Sequence, residues 1–448
     1  MLDQMFTAEN FRRIYDNENR KGLDLASRYF PELEPYTLAV HKKTQEIREL
    51  RAKKATLKAE NFSTQQATLK DELARLKAKK LAAIDDAMEE ISRKVLQSNF
   101  NIDLAKKSEI KGKDIFCIDA RPETFFVIKQ LQRNINRIYK VKQANRHDLV
   151  CQLRDVVRTK FPFELVRTDI SRFYESINRK RLIDMLDSDQ LLSPFSKKYI
   201  KQVLDSYGVI SGEKKGVPRG VGISAYLAEL YLRPVDRAIR SIPGLVLYCR
   251  FVDDIVVVFA RPPVGKDLGS YKDQIAQIFS NNELTCNTKK TFECNLADTK
   301  IKEFEYLGYR FVLQPGLCQI HLSSAKIDKY KARIESIFSD YDHQCHLNSR
   351  RAFRDLVARV KFLTGNTRLS NSKSNTVTGI YYNNSIITDT SSLEPLDKLL
   401  KARIATIKRP SLRQKLKNYK FEEGFLTRRF HNFSAQELQT IVRAWKNG

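Results

Sequence analysis

Asp169, Asp253 and Asp254 are the residues of this 448-residue chain whose type and setting point to chemistry. Asp253 and Asp254 stand side by side in "YCRFVDDIVVVF", residues 248–259, inside an otherwise largely apolar run. Two carboxylates about 4 Å apart repel by roughly 4 kcal/mol at an effective dielectric near 20, so at neutral pH the pair requires a cation beside it. A hard divalent ion such as Mg²⁺ meets that need. For the pair alone a solvated turn is the simpler reading, and one pair does not decide. Asp169 ends the strand-like approach of "LVRTDISRFYESI". A third carboxylate at a strand end, beside a hairpin carrying two more, makes a seat for two Mg²⁺ ions about 3.5–4 Å apart, the arrangement that stabilises attacking and leaving oxygens in phosphoryl transfer.

These acids must be positioned by neighbouring elements. Tyr248, Phe251 and Val252 lead into the pair, and Ile255 to Phe259 lead out, all β-branched or aromatic, which predicts a β-hairpin. Its tip is expected at Asp253-Asp254, which lacks the glycine that relieves positive φ in a tight turn. "KKGVPRGVGISAYLAELYL" sets Gly216, Gly220 and Gly222 ahead of a helix from about Ser224, so that backbone can approach a base pair. "CNTKKT" offers Lys290, with Lys289 beside it, as a cation for a leaving pyrophosphate, and "FEYLGYRF" predicts a second aromatic hairpin with Gly308 in its turn.

The balance of 80 Lys+Arg against 53 Asp+Glu gives a net charge of +27 and a sequence pI near 9.7. Such an excess serves a polyanionic partner, although basic residues on helices also serve solubility. With 42% hydrophobic residues the chain can bury the cores of two or three lobes. No run approaches the ~18 apolar residues of a membrane span, and the start has no apolar signal-peptide core, so a cytoplasmic protein is expected. Seven cysteines without a C-x-x-C pair are expected as reduced, mostly buried thiols, not zinc ligands.

From Pro35 to Gly112 there is no intervening proline or glycine, and apolar residues recur in steps of mostly three and four. The spacing predicts a helical hairpin or short coiled coil, broken at "NFSTQQ", where Ser63 and Gln66 have capping-box spacing. This basic arm can grip RNA, dock a partner protein or a second copy, or stand as a solvated appendage. Residues 121–165 look helical. From 166 to about 313 strands alternate with helices, an α+β pattern. From 321 onward the chain is helical and basic, except for a polar stretch at 363–392 that reads as an ordinary surface loop. His321, His343, His346 and His431 form no base–nucleophile pattern.

In order and spacing, the segments around Asp169, the glycine-rich turn, Phe251 to Asp254, the lysines and "YLG" resemble the palm motifs of reverse transcriptases over about residues 121–313. They are most similar to the bacterial group, retron-like or defence-associated and abortive-infection types, with which "LTGN" and "GIYYNN" also agree. The resemblance implies an α+β right-hand polymerase: an N-terminal helical extension over 1–118, fingers over 119–166, palm over 167–315 and a helical basic thumb over 316–448. It implies RNA-templated addition of deoxynucleotides to a primer, in anti-phage defence, with two Mg²⁺ ions or Mn²⁺ in their place. Its partners would be an RNA template, including a dedicated non-coding RNA, the DNA product and dNTPs, with no membrane.

Carried across, the resemblance makes Asp169, Asp253 and Asp254 the metal holders, and Lys290 the proton donor to pyrophosphate. Tyr174, five residues after Asp169, takes the position of the steric gate that excludes a 2′-hydroxyl. Lys142 and Arg146 would grip the triphosphate, unless they are ordinary surface charge, and Arg219 and Gly220 would lie at the nucleotide. Two departures stand out: Pro218-Arg219-Gly220 where the family commonly has Pro-Gln-Gly, and Phe251 where it commonly has tyrosine. Arg219 there could contact template phosphate or the nucleotide. It also keeps a template-independent or protein-primed polymerase in view, and a non-catalytic RNA-binding scaffold is the rival from another class.

Overall fold

Over residues 34–95, which hold no glycine and no proline after Pro35, the chain folds as two long helices, Glu34–Ala52 and Ala59–Val95, that pack on each other; past Val95 the same proline- and glycine-free stretch turns to a strand. The computed structural model describes the chain apart from residues 1–2, 53–58, 111, 142–143, 160, 262–268, 297–300, 315–316, 370–375 and 446–448. Ile84, Met88, Ile91 and Val95 recur on one face of the second helix and are buried. The expected break at "NFSTQQ" is absent, because Ser63 lies inside that helix, whose first described residue is Ala59. Asn, Ser and Thr are neutral to poor helix formers, not breakers, and the packed partner helix outweighs their preference.

The chain divides into two compact units, residues 1–142 with 172–234, and residues 143–171 with 235–448. In the first, strands β1 (Leu104–Ile110) and β2 (Lys113–Ile118) form an antiparallel ribbon. Its core is aromatic: Phe6 meets Tyr199 edge-on at 4.8 Å between ring centroids, and Phe11 meets Phe126 at 5.6 Å. The glycine-rich turn is in this unit, followed by helix Ser224–Tyr231 where the sequence predicts one.

The second unit holds a four-stranded antiparallel sheet built from β3 (Phe163–Asp169), β4 (Leu245–Phe251), β5 (Asp254–Ala260) and β6 (Phe292–Asn295), in spatial order β4-β5-β3-β6. Ile255 to Phe259 are wholly buried, as a continuous apolar run in a central strand should be. A three-stranded sheet follows, β7 (Lys302–Tyr306), β8 (Tyr309–Gln314) and β9 (Leu317–Leu322), and its first turn is Leu307-Gly308. One apolar core joins both sheets to the helices Ser324–Gln344, Ser349–Thr364 and Glu394–Thr406.

The polar stretch at 363–392 is not a plain surface loop. It contains a hairpin, β10 (Asn366–Leu369) with β11 (Thr376–Gly379), and Asn366 and Asn384 are structural. Asn384 is fully buried and donates to the Tyr330 hydroxyl at 3.1 Å and to the Ile380 carbonyl at 2.7 Å. Buried side-chain amides that satisfy irregular backbone let such a sequence enter a core. All seven cysteines are free thiols, but only Cys249, Cys294 and Cys318 are buried, fewer than expected. Among the described residues, no helix is long and apolar enough to cross a membrane.

Candidate active site

Strand register brings the acids together. In the β3–β5 pair Asp169 lies directly opposite Asp254, and in the β4–β5 pair Phe251 lies opposite the same Asp254. Directly opposed residues in an antiparallel pair have Cα atoms about 4.5–5.5 Å apart and side chains on one face. Asp253 precedes this row in the turn, where its carbonyl accepts from the Ile170 amide at 3.3 Å. The turn differs from the sequence expectation by one position. Its two central residues are Val252 and Asp253, and Asp254 already belongs to β5. Val252 has φ +59°, a left-handed conformation that a β-branched residue adopts only under constraint.

Asp169 is buried, and Asp253 and Asp254 are half-buried, in a positively lined setting. Asp169 is 5% exposed and forms an ion pair with the Lys290 ammonium. The Lys290 carbonyl accepts from Arg167 Nη1 at 2.7 Å, and Arg167 Nη2 comes within 3.1 Å of Asp254 Oδ1. That last approach lies off the hydrogen-bonding direction, and Asp254 Oδ1 is buried without a hydrogen-bond donor. Burial pushes the Asp254 carboxyl up to about 6, Asp169 and Asp253 add to the rise, and Arg167 and Lys290 oppose it. Among the described residues, no three His, Cys, Asp or Glu side chains are closed into a metal-ligating set, since Asp169 and Asp254 turn toward Lys290 and Arg167. An orphaned carboxylate oxygen beside a second buried carboxylate is a hard, anionic donor set that fits a divalent cation.

Arg146 is the first residue of helix Arg146–Val157, capped by Asn145. Its guanidinium lies 5.0 Å from the centroid of the Phe251 ring, the residue paired with Asp254. Arg146 also lines a cavity of about 960 Å³ with Lys326, Lys329, Arg333, Tyr330 and the Leu307-Gly308 turn. Burial, with Arg146 and Lys329 adding to it, lowers the Lys326 ammonium to about 8. That ammonium lies 4.1 Å from the Tyr309 ring centroid. Lys142 lies outside the described residues.

Tyr174 belongs to the short helix Phe173–Ser176 of the first unit. Arg219 and Gly220 are in the same unit, and the Arg219 guanidinium lies 4.6 Å from the Tyr174 ring centroid while bonding Glu175. The glycines make room for the protein's own chain: a Cβ on Gly220, at φ +98°, would stand 2.6 Å from the Phe116 carbonyl oxygen. Sequence reasoning missed Arg167, Glu175 and Lys326. Arg167 was within reach, because two residues before Asp169 on a strand is the same face. Nothing local marks the other two.

Residues 106–311, just under half of the chain, match the family model described as reverse transcriptase (RNA-dependent DNA polymerase). No curated protein matches the chain. Among solved structures, apo telomerase from Candida tropicalis is similar at 11% identity and a TM-score of 0.38, over 77% of this chain and 63% of that one. The same telomerase truncated from its C-terminal domain gives 12% and 0.32, over 60% and 72%. Telomerase from Candida albicans with a fragment of telomeric RNA gives 13% and 0.31, over 71% and 54%. On the match over residues 106–311, the chain has the right-hand polymerase fold and is an RNA-directed DNA polymerase, a nucleotidyltransferase; reverse transcriptase domains in general use divalent metal ions.

Proposed function

We propose that Asp169, Asp253 and Asp254 hold two Mg²⁺ ions, with Mn²⁺ able to replace them, and that the chain extends a primer 3′ end with dNTPs on an RNA template. The observation that carries this reading is the pairing of Asp169 with Asp254 at the ends of the two central strands, where a buried carboxylate oxygen lacks a donor. When bound, the ions supply charge stabilisation to the attacking and leaving oxygens of the phosphoryl transfer. The protein's part is positioning and electrostatics. Lys290, on the Asp169 carboxylate, presents a proton toward the leaving pyrophosphate. By the resemblance, Tyr174, five residues along the chain from Asp169, would serve as the gate that excludes a 2′-hydroxyl. Arg146, and Lys142 with it, supply charge toward the triphosphate, and the cavity holding Lys326 takes a backbone phosphate of the primer strand.

In this reading residues 1–118 are the helical extension, 119–166 the fingers, 167–315 the palm and 316–448 the thumb. A place among the bacterial retron-like or defence-associated enzymes, with an anti-phage role, rests on the sequence resemblance alone. Arg219, the residue that kept template-independent synthesis in view, has its guanidinium paired with Glu175, which favours the templated reading. Primer extension on an RNA template tests the proposal. Wild-type protein should incorporate dNTPs only with divalent metal and template, and Asp253→Asn and Asp254→Asn should fold and lose incorporation by on the order of 10³-fold. Unchanged synthesis by both variants refutes it.

A further inference from the structure

We infer that Arg219 is a positioning residue that holds the Tyr174 ring rigid as the sugar gate, with Glu175 as its anchor; this rests on the reading of Tyr174 as the gate. A gate rejects a 2′-hydroxyl only if its ring cannot swing aside, and a four-residue helix whose Phe173 meets the Tyr174 ring edge-on at 5.7 Å between centroids needs support from beyond itself to hold that ring. The glycine-rich turn supplies the support. Val217 N donates to the Tyr174 carbonyl at 2.8 Å and Gly216 N to the Ile177 carbonyl at 2.7 Å, so the turn is bonded to both sides of the gate helix. A Cβ on Gly216 would come within 3.1 Å of Glu175 Cα, closer than ordinary contact, and its φ of +96° is a conformation that favours glycine.

The side chains then lock the ring. The Arg219 guanidinium covers the Tyr174 ring at 4.6 Å from its centroid, a cation–π contact. Both carboxylate oxygens of Glu175 accept from that guanidinium: Oε1 from Nη2 at 3.0 Å and from Nε at 3.3 Å, and Oε2 from Nη2 at 3.2 Å. A planar fork fixed to a carboxylate is a rigid lid for a ring, which neither a flexible ammonium nor a neutral amide reproduces. Arg219's own backbone is tied as well, since its carbonyl accepts from Phe116 N at 2.7 Å. With its charge matched by Glu175, Arg219 acts on the nucleotide through Tyr174 and not by direct contact with a phosphate.

The test is single-nucleotide incorporation by the full chain, comparing kcat/KM for a dNTP and the matching rNTP in wild type, Tyr174→Val, Arg219→Gln, Arg219→Lys and Glu175→Gln. Tyr174→Val should collapse sugar discrimination. Arg219→Gln and Glu175→Gln should each lower it about tenfold, chiefly through a smaller KM for the rNTP, and the double variant should lose no more than either alone. Arg219→Lys should rescue little. If Tyr174→Val leaves discrimination unchanged, the gate reading fails and takes the inference with it. If Tyr174→Val collapses it while Arg219→Gln and Glu175→Gln discriminate like wild type, the inference alone is overturned. Should Arg219→Gln not fold, Glu175→Gln decides by the same criterion.

Discussion

Asp169 and Asp254 face each other across the two central strands of a buried sheet, and each carboxylate has its own cation, Lys290 for the first and Arg167 for the second. The two cations reduce, without removing, the repulsion that strand pairing imposes. Asp254 keeps a buried oxygen with no donor and a carboxyl raised to about 6. The sheet thus holds uncompensated negative charge in place before any ligand arrives, the preorganisation that the proposed phosphoryl transfer would use.

Asp169→Asn and Asp254→Asn should each lower nucleotide incorporation by on the order of 10³-fold. Asp254→Asn should melt no lower than wild type without metal, because an amide at that buried position carries no charge to desolvate. Primer extension and thermal melting in chelator check both parts.

Lys290 and Lys289 are adjacent, but Lys290 is the one on Asp169. Lys290→Gln should lower kcat by on the order of 10²-fold. Lys289→Gln should change it by less than about threefold, within the range expected of an exposed charge. Single-turnover kinetics of the two variants separate them.

Val252 carries the turn's positive φ without a glycine's freedom, a strain of order 1 kcal/mol or more. Val252→Asn, which tolerates that conformation, should raise stability by about 1 kcal/mol in denaturant unfolding. A loss of stability would show that the valine side chain is held by packing worth more than the strain.

Lys326 is lowered to about 8 from an ordinary value of 10.5. Between those values the unfolded chain binds a proton that the folded chain does not, so stability should rise with pH across about 8 to 10.5, while below 8 the full penalty remains. Lys326→Met should therefore stabilise the free protein at neutral pH by on the order of 1–3 kcal/mol and flatten that rise. The same variant should weaken primer–template binding and reduce its salt slope by about one. Melting curves at pH 7 to 10.5 and binding at several salt concentrations check it.

Much of this was legible in the linear chain. The β-branched and aromatic runs predicted the hairpin of β4 and β5, the apolar steps of three and four predicted the paired N-terminal helices, and the ordered motifs pointed to the polymerase. Three readings failed for tertiary reasons. Ser63 was expected at a helix start and lies within a helix, Asp254 was expected in the turn and begins a strand, and the polar stretch after Leu363 is partly core. In each case local preference lost to packing by residues far away in sequence.

The sequence by itself determined the acids, their apolar flanks, the excess of positive charge and the motif order, because these follow from residue type and short-range periodicity. Only the tertiary structure decided that Asp169 pairs with Asp254, that Lys290 and Arg167 attend them, and that Arg219 rests on Tyr174 and Glu175. Register between distant strands is set by the packing of the whole sheet, and a slip of one residue in β3 would turn Arg167 and Asp169 to the opposite face.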